Sequence, residues 1–251
     1  MSDRRALWAR LGLAGEPDFT SPHPGQLHTG AALRQGLDPH RLLARASADP
    51  WLDDCHLRPP GILVARLAPL ALWRAAHQPW LAVPRGQPEM EGPESPRRRL
   101  VEECLARLGS SARVRVAPGE LVGATRQARF EALAVAPRRP LTRASVSLRE
   151  VEYAALRAAR LPSPGQPPGP SQAVDHEQLA WLEHGRWLYE LAGQRGRPDW
   201  LVNWLVETAR RLDVYYRHQA IFLAPEREAR LAIWHGYGRA LDQIGQDLGL
   251  G

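Results

Sequence analysis

The chain has 251 residues, enough for one large domain or two small ones with their own cores, and 44% of them are hydrophobic, with nine tryptophans. Its formal net charge of +6 invites a polyanionic partner, nucleic acid first. All 33 basic residues are arginine, which excludes chemistry that needs an ε-amine, such as a P-loop, a Schiff base or a pyridoxal site, and leaves phosphate clamping and base stacking open.

No run of about 18 apolar residues occurs, so no membrane-spanning helix is expected. The Met-Ser-Asp-Arg-Arg start lacks the apolar core of a signal peptide. The two cysteines, Cys55 and Cys104, stand far apart without CxxC spacing, which points to a reducing cytoplasm and away from a zinc site or disulfide framework. The expected location is cytoplasmic, with no cofactor, no metal and no membrane.

Two Pro/Gly-rich stretches, Pro84–Pro96 and Leu161–Gln172, are expected to continue neither helix nor strand, the second acting as an extended linker. In chain order, an amphipathic segment around Leu7, Trp8 and Leu11 comes first. Helices are expected over Gln26–Leu33 and Pro39–Ala48. Between Cys55 and Pro69 two alternating apolar runs flank Pro59-Pro60-Gly61, a hairpin signature, and Pro69 opens a helix through Trp73 to Ala76. In the middle block, Arg113–Val122 reads as a hairpin around Pro118-Gly119, and Phe130–Val135 as a strand.

Ser147-x-x-Glu150 is a capping box for a helix through Tyr153 to Arg160. Beyond the linker the chain is helical. His176–Ala192 is broken by Gly193–Gly196. Pro198 opens a helix with the stripe Leu201, Trp204, Leu205, Thr208, Leu212 and Tyr215, and Pro225 opens one carrying Leu231, Trp234, Gly238, Leu241, Gly245 and Leu248. The glycines of the last stripe suggest close helix contact, and the four helices form a bundle around Trp and Leu positions. The expected class is α+β: a small α/β module over 1–83, a basic middle segment with some β structure over 97–144, and an all-α bundle over 145–251.

Charge is uneven. Residues 97–160 carry 14 Arg against 6 Asp and Glu, a net of +8, starting with Arg97, Arg98 and Arg99, whereas residues 173–251 carry 9 Arg against 11 acids, a net of −2. Catalytic constellations are lacking. The histidines have no metal-ligand spacing, and the pairs Asp53-Asp54 and Glu102-Glu103 are adjacent, so on a helix they point about 100° apart. Cys104 falls among Leu100, Val101 and Leu105 and reads as core, as do the Trp stripes.

Three features follow in order in the last block: Pro198-Asp199-Trp200-Leu201 leading into Leu205 and Ala209; Val214-Tyr215-Tyr216-Arg217-His218; and Glu228-Ala229-Arg230-Leu231 with a closing Ile244-x-x-x-Leu248-Gly249. Together they resemble the C-terminal DALR-type anticodon-binding domain of arginyl-tRNA synthetases, although the Asp-Ala-Leu-Arg signature itself is not present verbatim. In the first block, Pro17-Asp18-Phe19 is followed by Pro59-Pro60-Gly61-Ile62, with GLDPHRLLARA at 36–46 and Leu67-Ala68-Pro69-Leu70. That order is similar to the additional N-terminal domain with which the same synthetases contact the tRNA elbow. The likeness covers residues 18–76 and 148–250. Only about 70 residues lie between, too few for the catalytic domain. Leu27-His28-Thr29-Gly30-Ala31 lacks the second His of the nucleotide motif and falls on an expected helix, so it reads as structural.

The resemblance implies a non-catalytic tRNA-binding protein, an arginine tRNA being one candidate, with no DNA expected. Accessory service to a tRNA synthetase or tRNA-modifying enzyme, or a scaffold that kept the fold and lost RNA binding, are the alternatives. Tyr216, Arg217 and His218 end a helix and enter a loop, where they can stack on unpaired bases and contact phosphate. The expected RNA contacts are these three with Arg211, Arg230, Phe19, Arg97, Arg98 and Arg99.

Overall fold

The computed structural model describes residues 3–20, 23–77, 80, 86–119, 121, 123, 125–142, 144–164, 176–218 and 226–250. Helices dominate a mixed, broadly α+β chain. It divides into two compact units, one of Met1–Gln78 with Pro168–His184, the other of Pro79–Pro167 with Gly185–Gly251.

The first unit opens with α1 (Asp3–Arg10), then β1 (Gln26–Thr29), α2 (Ala31–Arg34), α3 (Pro39–Ser47), β2 (Leu52–Arg58), β3 (Ile62–Leu67) and α4 (Pro69–His77). The strands form an antiparallel sheet of order β1-β3-β2. Asp38 caps α3 by accepting from the His40 amide at 2.9 Å. The hairpin expected about Pro59-Pro60-Gly61 is present as β2 and β3, with a bulge between Asp53 and His56. Gly61 turns the tip at φ +139, where a Cβ would press within 3.1 Å of Pro39 and Leu33 side-chain carbons.

The helix expected over Gln26–Leu33 is instead β1 followed by the short α2. Leu27 and Thr29 alternate inward with period two, and β1 pairs with β3 from Gln26↔Arg66 to Thr29↔Leu63, a pairing that no local signal announces. The Leu27–Ala31 string therefore lies on a strand and turn rather than a helix. Leu7, Trp8 and Leu11 are buried, with Phe19 edge-on to Trp8 at 5.0 Å. Arg4 donates twice to Glu183, both bonds at 2.7 Å and both side chains buried.

The second unit contains β4 (Glu89–Glu91), α5 (Pro96–Arg107), β5 (Arg113–Arg115), α6 (Arg126–Leu133) and α7 (Leu148–Ala159), the later part of α8 (His176–Arg195), and α9 (Pro198–His218) and α10 (Arg227–Asp247). Three expectations are corrected here. Strand β4 lies inside the Pro84–Pro96 stretch. In place of the hairpin expected from Arg113, β5 pairs in parallel with β4 and α5 makes the crossover; Glu120 and Val122, in the expected return run, lie outside the described residues. The pairing sets Arg113 against Glu89 and Glu91, at 2.8 and 3.6 Å, and buries Val114. Phe130–Leu133 belongs to α6, because Thr125 caps the helix at the Ala128 amide and Phe130 and Leu133 share its buried face. Residues 165–172 of the second linker lie outside the described residues, as do residues 173–175 and Pro225.

The helices match their caps. Ser147 accepts from the Glu150 amide, as the capping signal requires. Helix α8 runs through Gly193 and stops at Gly196, whose φ of +62 lets the Arg197 amide return to the Ala192 carbonyl at 2.9 Å. Trp204 and Trp234 are buried core residues, as their stripes suggested. Gly238 brings α10 against α7, a Cβ there standing 3.1 Å from that of Ala158, whereas Gly245 has nothing near it. Among the described residues no helix is long and apolar enough to cross a membrane.

Candidate functional site

Two of the expected RNA contacts are interior. Phe19 is in the core against Trp8. Arg97 is fully buried, its guanidinium donating to the carbonyls of Ala117, Val135, Ala136 and Arg139 at 3.3, 3.2, 3.1 and 2.7 Å. Burial holds its pKa below the ordinary value, and neither residue has surface to offer a phosphate. Arg98 donates to the Gly92 carbonyl at 2.7 Å, and Arg99 is exposed and bonded to Glu94 at 2.6 Å. Three arginines in the first turn of α5 oppose the helix dipole, and Glu94, just before the Ser95 cap, offsets them. Arg211 pairs with Glu207 at 3.1 Å and Arg230 with Glu226 at 4.0 Å, both one turn apart. Tyr216 and Arg217 are exposed near the end of α9, and the His218 side chain lies outside the described residues.

Arg97 instead builds a platform. Its Nη1 is shared by the Ala117 and Arg139 carbonyls, and the Ala117 amide donates to the Pro137 carbonyl at 2.8 Å. The segments 115–117 and 137–139 therefore run side by side. They carry Arg115, Arg138 and Arg139, all exposed and none with a carboxylate partner among the described residues. Arg97 thus ties together two neighbouring segments whose exposed arginines are available to phosphate oxygens.

A second site lies where α7, α9 and α10 meet. Helix α7 turns Leu148, Val151, Ala154 and Ala158 inward and leaves Tyr153 and Arg157 at the rim. A cleft of about 370 Å³ opens there, with Trp234, Ala154, Ala209 and Leu212 among its lining and Glu150, Arg210, Arg157 and Asp213 around them. The Arg157 guanidinium is sandwiched between the rings of Tyr153 and Tyr216, 4.5 and 4.3 Å from their centroids. It also donates to the Tyr153 hydroxyl at 2.6 Å and to Asp213 at 3.3 Å, while Arg217 takes the other Asp213 oxygen at 2.7 Å. Tyr216 stands edge-on to Trp234 at 6.0 Å, and the buried Trp234 Nε1 has no hydrogen-bond partner among the described residues.

Two further titratable groups, Cys104 and Tyr189, are buried. Burial pushes the Cys104 thiol up to about 12, so it is a core residue and not a nucleophile. The buried Tyr189 hydroxyl donates to Asp247 at 2.6 Å, and burial raises its pKa far above the usual tyrosine value. Among the described residues no three His, Cys, Asp or Glu side chains are grouped to hold a metal.

The sequence reading missed Arg115, Arg138, Arg139 and the Arg157 cleft. A signal for the cleft was available, since Arg149, Tyr153, Leu156 and Arg160 fall at i, i+4, i+7 and i+11, a second stripe of large residues opposite the buried one. No family model, curated protein or solved structure matches the chain.

Proposed function

We propose that the protein is a non-catalytic tRNA-binding protein related to arginyl-tRNA synthetase, with tRNA phosphates held by the platform of Arg115, Arg138 and Arg139. The observation that carries this reading is three exposed arginines without carboxylate partners among the described residues, on two segments that the buried Arg97 ties together through backbone carbonyls. They lie in the +8 segment over 97–160, which supplies the long-range attraction that the acidic last block does not. The order of motifs in the first and last blocks is what specifies tRNA rather than another polyanion. An elbow contact by the first unit and an anticodon-loop contact by the helices follow from it.

Titration of the whole chain with tRNA, ribosomal RNA fragments and duplex DNA at low and physiological salt tests it. Tighter binding of tRNA than of either competitor is expected, and equal affinity for duplex DNA rejects the reading. Replacing all three platform arginines by serine is expected to flatten the slope of log K against log salt by about 2 to 3, because each phosphate contact contributes about 0.7–0.9. An unchanged slope moves the contact away from the platform.

A further inference from the structure

We propose that the outward face shared by α7 and α9 docks an acidic amphipathic helix from a partner protein. Two stripes build this face. On α7, Arg149, Tyr153, Leu156 and Arg160 lie along one line of the helix, and on α9 Arg210, Val214 and Arg217 do the same. Glu150 meets Arg210, and further along Arg157 meets Asp213 and Tyr216, so the two helices run in the same sense and their stripes lie alongside each other. At the centre, Tyr153, Leu156 and Val214 are 57%, 56% and 57% exposed, an apolar group of the kind that marks an interaction surface. The cleft of about 370 Å³ opens between the stripes and offers an anchor side chain a cavity floored by Trp234.

Charge selects the occupant. Arg149 and Arg160 terminate the α7 stripe, exposed and without a carboxylate partner among the described residues. Arg210 and Arg217, 58% and 70% exposed, flank Val214 on the other side, each already facing a carboxylate, Glu150 at 3.9 Å and Asp213 at 2.7 Å, so the uncompensated charge lies at Arg149 and Arg160. An apolar centre between basic ends complements a helix with apolar residues at i, i+3, i+4 and i+7 and carboxylates at its flanks. Tyr153 offers a base one ring, but Leu156 and Val214 beside it present neither a ring nor a donor, which favours an apolar helix face over an RNA strand. The 12 residues of α7 make a surface about 18 Å long, matching three turns of a partner helix. This surface shares no residue with the Arg115, Arg138 and Arg139 platform but includes Arg217, one of the expected anticodon-loop contacts, so a partner helix seated here competes with that contact and leaves the platform free.

The test uses the full chain and a fluorescently labelled peptide of about 14 residues, with leucines and one phenylalanine on one helical face and glutamates at both flanks. The controls are the same peptide with lysine flanks, the same composition with the apolar spacing scrambled, and a short oligouridylate. Polarisation is expected to show the acidic peptide binding at least about tenfold tighter than the lysine-flanked and scrambled ones. The double variant Arg149→Glu, Arg160→Glu is expected to invert that order, and Leu156→Asp to abolish binding, both with parental far-ultraviolet dichroism. In Leu156→Asp the platform's share of tRNA binding, read as the slope of log K against log salt, is expected to stay at the parental value. Four results overturn the proposal: equal binding of the lysine-flanked peptide, no binding of the acidic one, its displacement by oligouridylate, or self-association of the parent that Leu156→Asp removes.

Discussion

Arg97 and Arg157 are the same residue type in opposite settings. Arg97 is enclosed, and its Nη1 and Nη2 donate to four backbone carbonyls with no carboxylate among them. Arg157 lies at a surface cleft, held by two tyrosine faces and one shared carboxylate. The first ties loop segments into a platform that other residues expose; the second organises a surface directly. Side-chain type does not separate these uses, because the planar guanidinium serves equally as a fork for carbonyls and as a plate for rings. What separates them is whether backbone converges on the group, and that depends on segments 20 to 42 residues away.

This contrast is testable, from the largest effect downward. Arg97→Ala is expected to cost about 4 kcal/mol in urea denaturation, since several buried carbonyls lose their donor at about 1–3 kcal/mol each. Arg97→Lys is expected to recover little, because an ammonium is a point charge without the guanidinium's fork. A loss below about 1 kcal/mol for Arg97→Ala would erase the distinction between the two arginines. Glu183→Ala is expected to cost about 3 kcal/mol by leaving Arg4 buried without its counterion, and Glu183→Ala with Arg4→Met is expected to regain most of it.

Gly185→Ala should lose about 1–3 kcal/mol, because a Cβ there collides with the indole of the buried Trp204. Arg157→Ala is expected to cost under about 1 kcal/mol, the scale of partly exposed cation–π and ion-pair contacts, and to show as altered tyrosine environment in near-ultraviolet dichroism. Serine in place of Arg138 and Arg139 is expected to leave the denaturation midpoint unchanged while weakening tRNA binding. A shift in both would mean that these arginines, like Arg97, support the fold.

Legibility followed the range of the physical cause. Capped helices were readable: Asp38 with Pro39, Ser147 with Glu150, and Pro198 each act within one turn, and α3, α7 and α9 begin where those residues stand. The β2–β3 hairpin was readable for the same reason, its turn and alternating runs being adjacent. Strand β1, the parallel β4–β5 pair and α6 were misread. The first two owe their state to partners more than 20 residues away, and a short apolar run such as Phe130–Val135 fits strand or helix until packing chooses. The candidate site divides likewise. Tyr216 and Arg217 stand exposed at the end of α9, where the sequence placed a helix end, whereas Phe19 and Arg97 are buried.

From the sequence alone came the arginine-only basicity, the helical last third, the caps that start its helices, and the concentration of positive charge in residues 97–160. Those are properties of composition and of neighbours within a turn or two. Tertiary structure decided which arginines are interior, which strands pair, and that α7 and α9 lie alongside each other to leave an aromatic, arginine-rimmed cleft. Burial and long-range pairing are set by the whole chain's packing, and of the Arg-Arg-Arg run at 97–99 only Arg97 became interior, because the segments at 115–117 and 135–139 close over it.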